Sequence, residues 1–421
     1  MPGVVMPISP SLLLTLGLLS ALTPFAVDMY LPSIPAIARD LGAPVSLAQL
    51  SVTLYLGVFA AAQLLLGPLS DVLGRRLPVA AGLAVFALAD VACALAPNMT
   101  AMLAARAVQA LGGAAVAVTV PALVRDLFER DDYARVMGLV MLVMGLAPLL
   151  APSLGGLVVV VGSWRWVFAV LLGITAVTAV LFFRQLPETL PPKHRHRLDP
   201  ASVARNYGLL LRHRAALGYL LTGMGSFGGM MIFIVASPFV YIELHGVPAG
   251  WFGPLFGINI AAAMAFSYLN ARWVPRFGAE RLLRAGLMVQ GAAASALLLL
   301  GLLAAVLGAA PPLWLIALGA GGYIAMAGVV MGNAMAGFMA YFPRMAGTAS
   351  AFAGAGRFGF GALAGTLASL AHNGTALPLL LGMGLCGLLA VGTYQLLCCS
   401  AVPAAARVRQ SDVDRPPPSV R

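Results

Sequence analysis

Apolar residues run along this chain in long unbroken stretches, parted by short polar or Gly/Pro-containing breaks. Neither the alternation of a strand nor the one-sided stripe of a soluble helix is present. Stretches of roughly 20 residues, enough to cross a hydrocarbon core about 30 Å thick, fall near 9–31, 46–68, 77–97, 100–125, 135–160, 165–184, 215–240, 251–272, 282–308, 313–340, 346–371 and 376–398. The pattern predicts twelve transmembrane helices, and an even number puts both ends on one side. A strand barrel is excluded because the runs are continuous. The first run carries Pro and Asp and lacks a small-residue cleavage site, so it is expected to be retained.

Composition agrees: 61% of the 421 residues are hydrophobic and 9% charged, which leaves no plausible soluble domain. Of the 25 Lys and Arg, two (Arg106, Arg357) lie within spans and two (Arg39, Arg165) on one face. The rest crowd the other face and the termini on that side. By the positive-inside rule the crowded face is cytoplasmic, with both termini there. The net charge of +11 is then a topology signal and not a nucleic-acid site.

The longest polar stretch, 186–214, includes LPETLPPKHRHRLDP and reads as a cytoplasmic linker between a six-helix bundle at 1–185 and another at 215–400. KHRHR (193–197) reads as a solvated, headgroup-facing tract. The Arg- and Pro-rich tail, 401–421, is expected to be disordered. A faint repeat relates the halves: Gly42 and Gly246, Pro44 and Pro248, Gly74 and Gly278 share one interval of 204 (246 − 42 = 248 − 44 = 278 − 74). In that register Glu243 falls opposite Arg39 and Ile232 opposite Asp28. The second half thus has no counterpart of Asp28, and proton chemistry is expected in the first.

Asp28 is the candidate that matters most. It lies in SLLLTLGLLSALTPFAVDMYLPSIP (11–35), where a charge at mid-span costs about 2.5–3.5 kcal/mol. A membrane protein keeps such a residue to pair, to move a proton or to meet a cation. Arg106, deep in span four, is the partner to expect, with Gln109 three residues on along the same face. Burial favours a protonated carboxyl and a neighbouring guanidinium favours its ionised form, so such a pair could exchange protons. Asp90 in span three reads as snorkelling or protonated, Glu243 as an interfacial salt-bridging residue, and Arg357 as either a packing or a ligand contact. The four cysteines, Cys93, Cys386, Cys398 and Cys399, have no metal-ligand spacing; neither a metal nor a cofactor is expected, and no catalytic constellation indicates an enzyme. Met29, Met230, Met231, Met326, Met331 and Met335 could form an adaptable binding surface or simply face lipid and core.

Two motifs suggest moving parts. GPLSDVLGRR (67–76) joins spans two and three; Asp71 sits near a helix C-terminus, where a carboxylate opposes the dipole. Either it pairs with arginines or with a helix start from the other half near Arg344, forming a cytoplasmic gate, or it is a topology anchor beside Arg75 and Arg76. MLVMGLAPLLAPSLGG (141–156) places Gly145, Pro148 and Pro152 in one span, which suits a bent helix at a moving seam or one that is merely kinked.

Together VDMYLPSIP (27–35), GPLSDVLGRR, RAVQALGG, APLLAPSLGG, SWRWVF (163–168), LPETLP (186–191), SPFVYIE (237–243), MAGTASA (345–351) and GRFGFGA (356–362) resemble the major facilitator superfamily. The branch resembled is that of twelve-span drug:proton antiporters, and within it the bicyclomycin/chloramphenicol resistance group. The resemblance implies an all-α fold of twelve transmembrane helices in two six-helix bundles. It also implies a cavity lined mainly by spans one, four, seven and ten, and alternating access. Asp28 matches the family's protonatable carboxylate and Arg106 its span-four arginine. On that basis Tyr30, Gln109, Phe233, Tyr323 and Asn333 are the expected substrate contacts. The loop NARWVPRFGAER (270–281) has Asn270 where a second gating motif would carry Asp, so one such gate is expected.

The resulting expectation is a monomeric, multi-pass transporter of the inner membrane, exporting small drugs in exchange for protons and bounded by lipid. Two rivals stay open: a dedicated metabolite exporter or importer on the same fold, and a receptor without transport.

Overall fold

The computed structural model describes residues 9–128, 130–190, 200–342 and 345–398, almost all of them helical. The first apolar run breaks in a way its composition explains. Helix α1 (Pro10–Asp28) ends at the carboxylate, a short 3-10 turn covers Leu31–Ser33, and α2 (Ile34–Asp40) follows. Pro32 and Pro35 sit at the first turns of the two following pieces, where a missing N–H costs nothing. The first half is completed by α3 (Val45–Leu73), α4 (Arg76–Ala94), α5 (Met99–Leu127), α6 (Arg130–Val161) and α7 (Arg165–Gln185).

Within the expected linker, residues 200–212 form a helix, α8 (Pro200–Arg212). Its LLL run turns Leu210 into a small cluster with Ala216 and Phe338, so this part of the linker packs against the second half. KHRHR and the tail lie outside the described residues. The second half comprises α9 (Arg214–Pro238), α10 (Ala249–Phe277), α11 (Ala279–Leu307), α12 (Leu313–Ala340), α13 (Ala346–Leu370) and α14 (Leu377–Thr393). A wide helical turn, Phe239–Leu244, extends α9 past Pro238.

Among the described residues eleven helical segments are long and apolar enough to cross a membrane; α13 is the long helix that falls short. Its small residues have a structural reason. It lies between α3 of the first half and α9 of its own, with Gly361 against Phe227 and Met231 and Gly365 against Thr53. On the faces that meet α3 and α9, such a helix gains more from close approach than from bulk.

The halves repeat in backbone detail. Gly42 (φ 58°) and Gly246 (φ 68°), and Gly74 (φ 93°) and Gly278 (φ 81°), all take the left-handed conformation that glycine tolerates. Pro44 and Pro248 both precede the first residue of a 29-residue helix. The two halves meet through α3 against α13 and α6 against α10, a symmetric pair of seams.

Candidate functional site

Between the halves lies a cavity of about 1330 Å³, lined by both. It reaches the end of the molecule that carries Arg75, Arg125 and Tyr207. At the opposite end the halves are closed. There α6 and α10 approach until a Cβ on Gly253 would overlap the Ser153 backbone, and Gly156 lies against the Ala249 carbonyl. Thr366 donates to Thr53 across the other seam at 2.9 Å, and Arg39 pairs with Glu243. These last two residues are 204 positions apart, the repeat interval itself. Equivalent positions beside a two-fold axis face each other, so the repeat register accounts for this ion pair.

Asp28 lies in the wall of this cavity at the C-terminus of α1 and is 4% exposed. Among the described residues no hydrogen bond or ion pair holds its carboxylate. The expected Asp28–Arg106 pair is not formed. Arg106 is fully buried on the far side of α5, where its Nη1 donates to the Ala26 carbonyl at 3.1 Å and to Gln109 Oε1 at 2.5 Å. The guanidinium lies over two rings, 4.7 Å from Tyr30 and 4.6 Å from Tyr55. Gln109 turns its amide to Asp90, Nε2 to Oδ1 at 2.5 Å, and Thr175 donates to the other Asp90 oxygen at 3.4 Å. Asp90 is 0% exposed, so it is neither at the periphery nor snorkelling. It is the acid of a buried network through α4, α5 and α7, and sequence reasoning missed it because helix-to-helix pairing leaves no local spacing to read.

None of the five expected substrate contacts lines the cavity. Tyr30 accepts a hydrogen bond from Ser51 at 2.8 Å and covers Arg106; Gln109 is the bridge just described. Phe233 stacks on Phe256 at 5.6 Å. Tyr323 donates to the carbonyls of Gly225 and Ser226, each at 3.2 Å, and Asn333 donates to Asn270 Oδ1 at 2.8 Å. The difference is one of helical phase: this cavity is lined by other faces of the same helices. On α9 the cavity side carries Phe227, Met230, Met231 and Ile234, and on α12 it carries Met331, Ala334, Met335 and Phe338. Four of the six methionines singled out from the sequence therefore line it, while Met29 and Met326 do not. Phe59 and Gln63 of α3, Met137 and Met144 of α6, and Arg357 and Phe358 of α13 complete much of the wall.

Of the expected gating residues, Gly145 and Pro148 line the cavity on α6, and Pro152 lies in the part of that helix packed against α10. Arg75 is tied within the first half: Nε donates to Asp126 at 3.1 Å and Nη1 to Ser70 at 3.0 Å. Glu188 of LPETLP caps α4 by accepting the backbone N–H groups of Arg75 at 2.8 Å and Arg76 at 3.2 Å. The Arg76 guanidinium lies 5.9 Å over the Phe183 ring. The side chain of Asp71, and Arg344, lie outside the described residues.

The Major Facilitator Superfamily profile matches residues 16–366. The chain is 38% identical over 385 residues to the bicyclomycin resistance protein homolog of Haemophilus influenzae, covering 91% of this chain and 95% of that protein. It is 32% identical to the chloramphenicol resistance protein of Pseudomonas aeruginosa, covering 93% and 91%, and 31% identical to multidrug resistance protein D of Escherichia coli, covering 90% and 94%. Among solved structures, a D-xylose-proton symporter superposes with a TM-score of 0.72 at 16% identity, covering 92% of this chain and 97% of that one. That likeness is one of fold.

Proposed function

Starting from the Major Facilitator Superfamily, to which this chain belongs, we propose that it exports small drugs across the bacterial inner membrane in exchange for protons, by alternating access. The names of the relatives that it covers nearly end to end, bicyclomycin, chloramphenicol and multidrug resistance proteins, support a drug substrate and an outward direction. The single observation that carries the mechanism is Asp28: a buried carboxylate without a partner among the described residues, in the wall of a cavity that opens at one end only.

The open end is the basic one, which the positive-inside rule makes cytoplasmic, with both termini on that side. In this state a drug enters from the cytoplasm or the inner leaflet and displaces the Asp28 proton, directly if it is a cation and through rearrangement of the Asp28 surroundings if it is neutral. The seams of α3 with α13 and α6 with α10 then open at the outer end while the inner end closes. Asp28 meets the proton-rich side, takes a proton, and the drug leaves. Arg106 acts as a fixed positive charge behind Tyr30 and Tyr55 and supports the α1 carbonyl at Ala26, two residues before Asp28. Ligand exchange drives the cycle only through differential binding to the two states.

Asp28→Asn keeps the size of the side chain and removes its proton exchange. In inside-out vesicles the variant should insert normally yet lose drug accumulation driven by a pH gradient. Undiminished gradient-driven accumulation would remove Asp28 from the coupling step.

A further inference from the structure

Among the described residues, four charged ones line the cavity: Asp28, Arg75, Arg125 and Arg357. Arg75 and Arg125 sit at the open end beside Asp126. That leaves two charges in the membrane-embedded wall, Asp28 from the first half and Arg357 from the second. Arg357 lies on α13, its guanidinium 5.3 Å from the Phe227 ring and 5.3 Å from the Phe358 ring. Its Nε is buried with no hydrogen-bond partner, and no ion pair to it forms among the described residues. None of its five N–H donors has a protein acceptor among the described residues.

We propose that Arg357 is a substrate-anchoring residue, and that it selects drugs carrying a strongly polarised or anionic oxygen group, such as nitro, sulfonyl or carboxylate. The proposal rests on the efflux reading above. In the open state water can satisfy the guanidinium; when the cavity closes water is expelled, and unsatisfied donors become costly. Ring faces offset part of the charge but accept no in-plane N–H. A drug oxygen supplies the missing acceptor in a charge-assisted bond, whereas a lipophilic cation without acceptors meets like charge. The walls therefore differ in character: acidic at Asp28, basic at Arg357, and apolar between them through Phe59, Met144, Phe227 and Met231. That arrangement suits a neutral or zwitterionic molecule with its oxo end on the second half. The methionine and phenylalanine surface fits varied bodies, while the arginine imposes one fixed demand.

The test uses the full chain in liposomes with an imposed pH gradient and two probes: chloramphenicol, which carries a nitro group, and tetraphenylphosphonium, a cation with no acceptor. Arg357→Gln should lose chloramphenicol transport by about tenfold or more, the loss of one charge-assisted bond. Its tetraphenylphosphonium transport should be unchanged or higher, and Arg357→Lys should keep part of the chloramphenicol transport. Should Arg357→Gln fail thermal-unfolding controls, Arg357→Lys carries the test. Full chloramphenicol transport by Arg357→Gln overturns the proposal, as does an equal loss for both probes in a folded variant. Wild type that moves the cation but not chloramphenicol also overturns it and leaves efflux standing. Wild type that moves neither probe defeats the efflux reading and this inference with it.

Discussion

Asp90→Ala is expected to destabilise the first half far more than the loss of an ordinary hydrogen bond inside a membrane, which averages about 0.6 kcal/mol with a maximum near 1.7. The substitution removes the acceptor of Gln109 at 2.5 Å and of Thr175 at 3.4 Å, and it leaves the fully buried Arg106 with no acid in its network. Breaking a buried ion pair from one side typically costs about 3–5 kcal/mol. Here the contact runs through Gln109, and the rings of Tyr30 and Tyr55 still hold the guanidinium. A cost of about 2–4 kcal/mol follows, with Asp90→Asn costing less because its amide oxygen can still accept from Gln109. Removing Arg106 as well should restore part of the loss, giving a coupling of about 1–3 kcal/mol in a double-mutant cycle with Arg106→Met. Equilibrium unfolding of the purified protein in mixed micelles measures all four variants. Strict additivity, or a cost for Asp90→Ala below about 1 kcal/mol, would show that Asp90 is not the counter-charge of Arg106.

Gly253→Ala places a Cβ on the Ser153 backbone at the closed end. An overpacking cost of about 1–3 kcal/mol on that state shifts the ensemble roughly 5–150-fold toward the outward-open form, which cysteine cross-linking across α6 and α10 would register as a lower yield. Glu243→Gln acts on the same state through an exposed pair, with side-chain exposures of 67% for Arg39 and 33% for Glu243. Its effect should stay within about 1 kcal/mol and fade at high salt; a salt-independent loss of transport would instead assign Glu243 a role in the chemistry. Asp71→Asn tests the inner gate: cross-linking between the inner ends of α3 and α13 should fall if Asp71 pairs across the halves, and an unchanged yield would leave it a topology anchor.

The amount that could be read from sequence follows the range of each interaction. The long helices, their order and the repeat are encoded locally, in run length, Gly42, Gly246 and the prolines after them, and the structure has them, with eleven helices among the described residues long and apolar enough to cross a membrane. The family, too, was readable, because motifs such as GPLSDVLGRR keep their spacing. Which face of a helix looks inward was not readable for Tyr30, Phe233 or Tyr323. Residues on every side of α9 and α12 are apolar, so the periodicity that would mark a cavity face is missing. Asp90 joins Gln109 and Thr175 over 19 and 85 residues of separation, a relation that only packing creates. The α13 helix was recognised as a span although its hydropathy is low, and its fit between α3 and α9 explains why small residues serve there.

The central claim, that drug and proton compete through Asp28, is tested most directly without a membrane. Purified protein in lightly buffered detergent, with a pH indicator, is titrated with chloramphenicol. Wild type should release protons in a saturable way that tracks binding, and Asp28→Asn should bind without releasing any. Equal release from both proteins, or binding to wild type with no release, would contradict it.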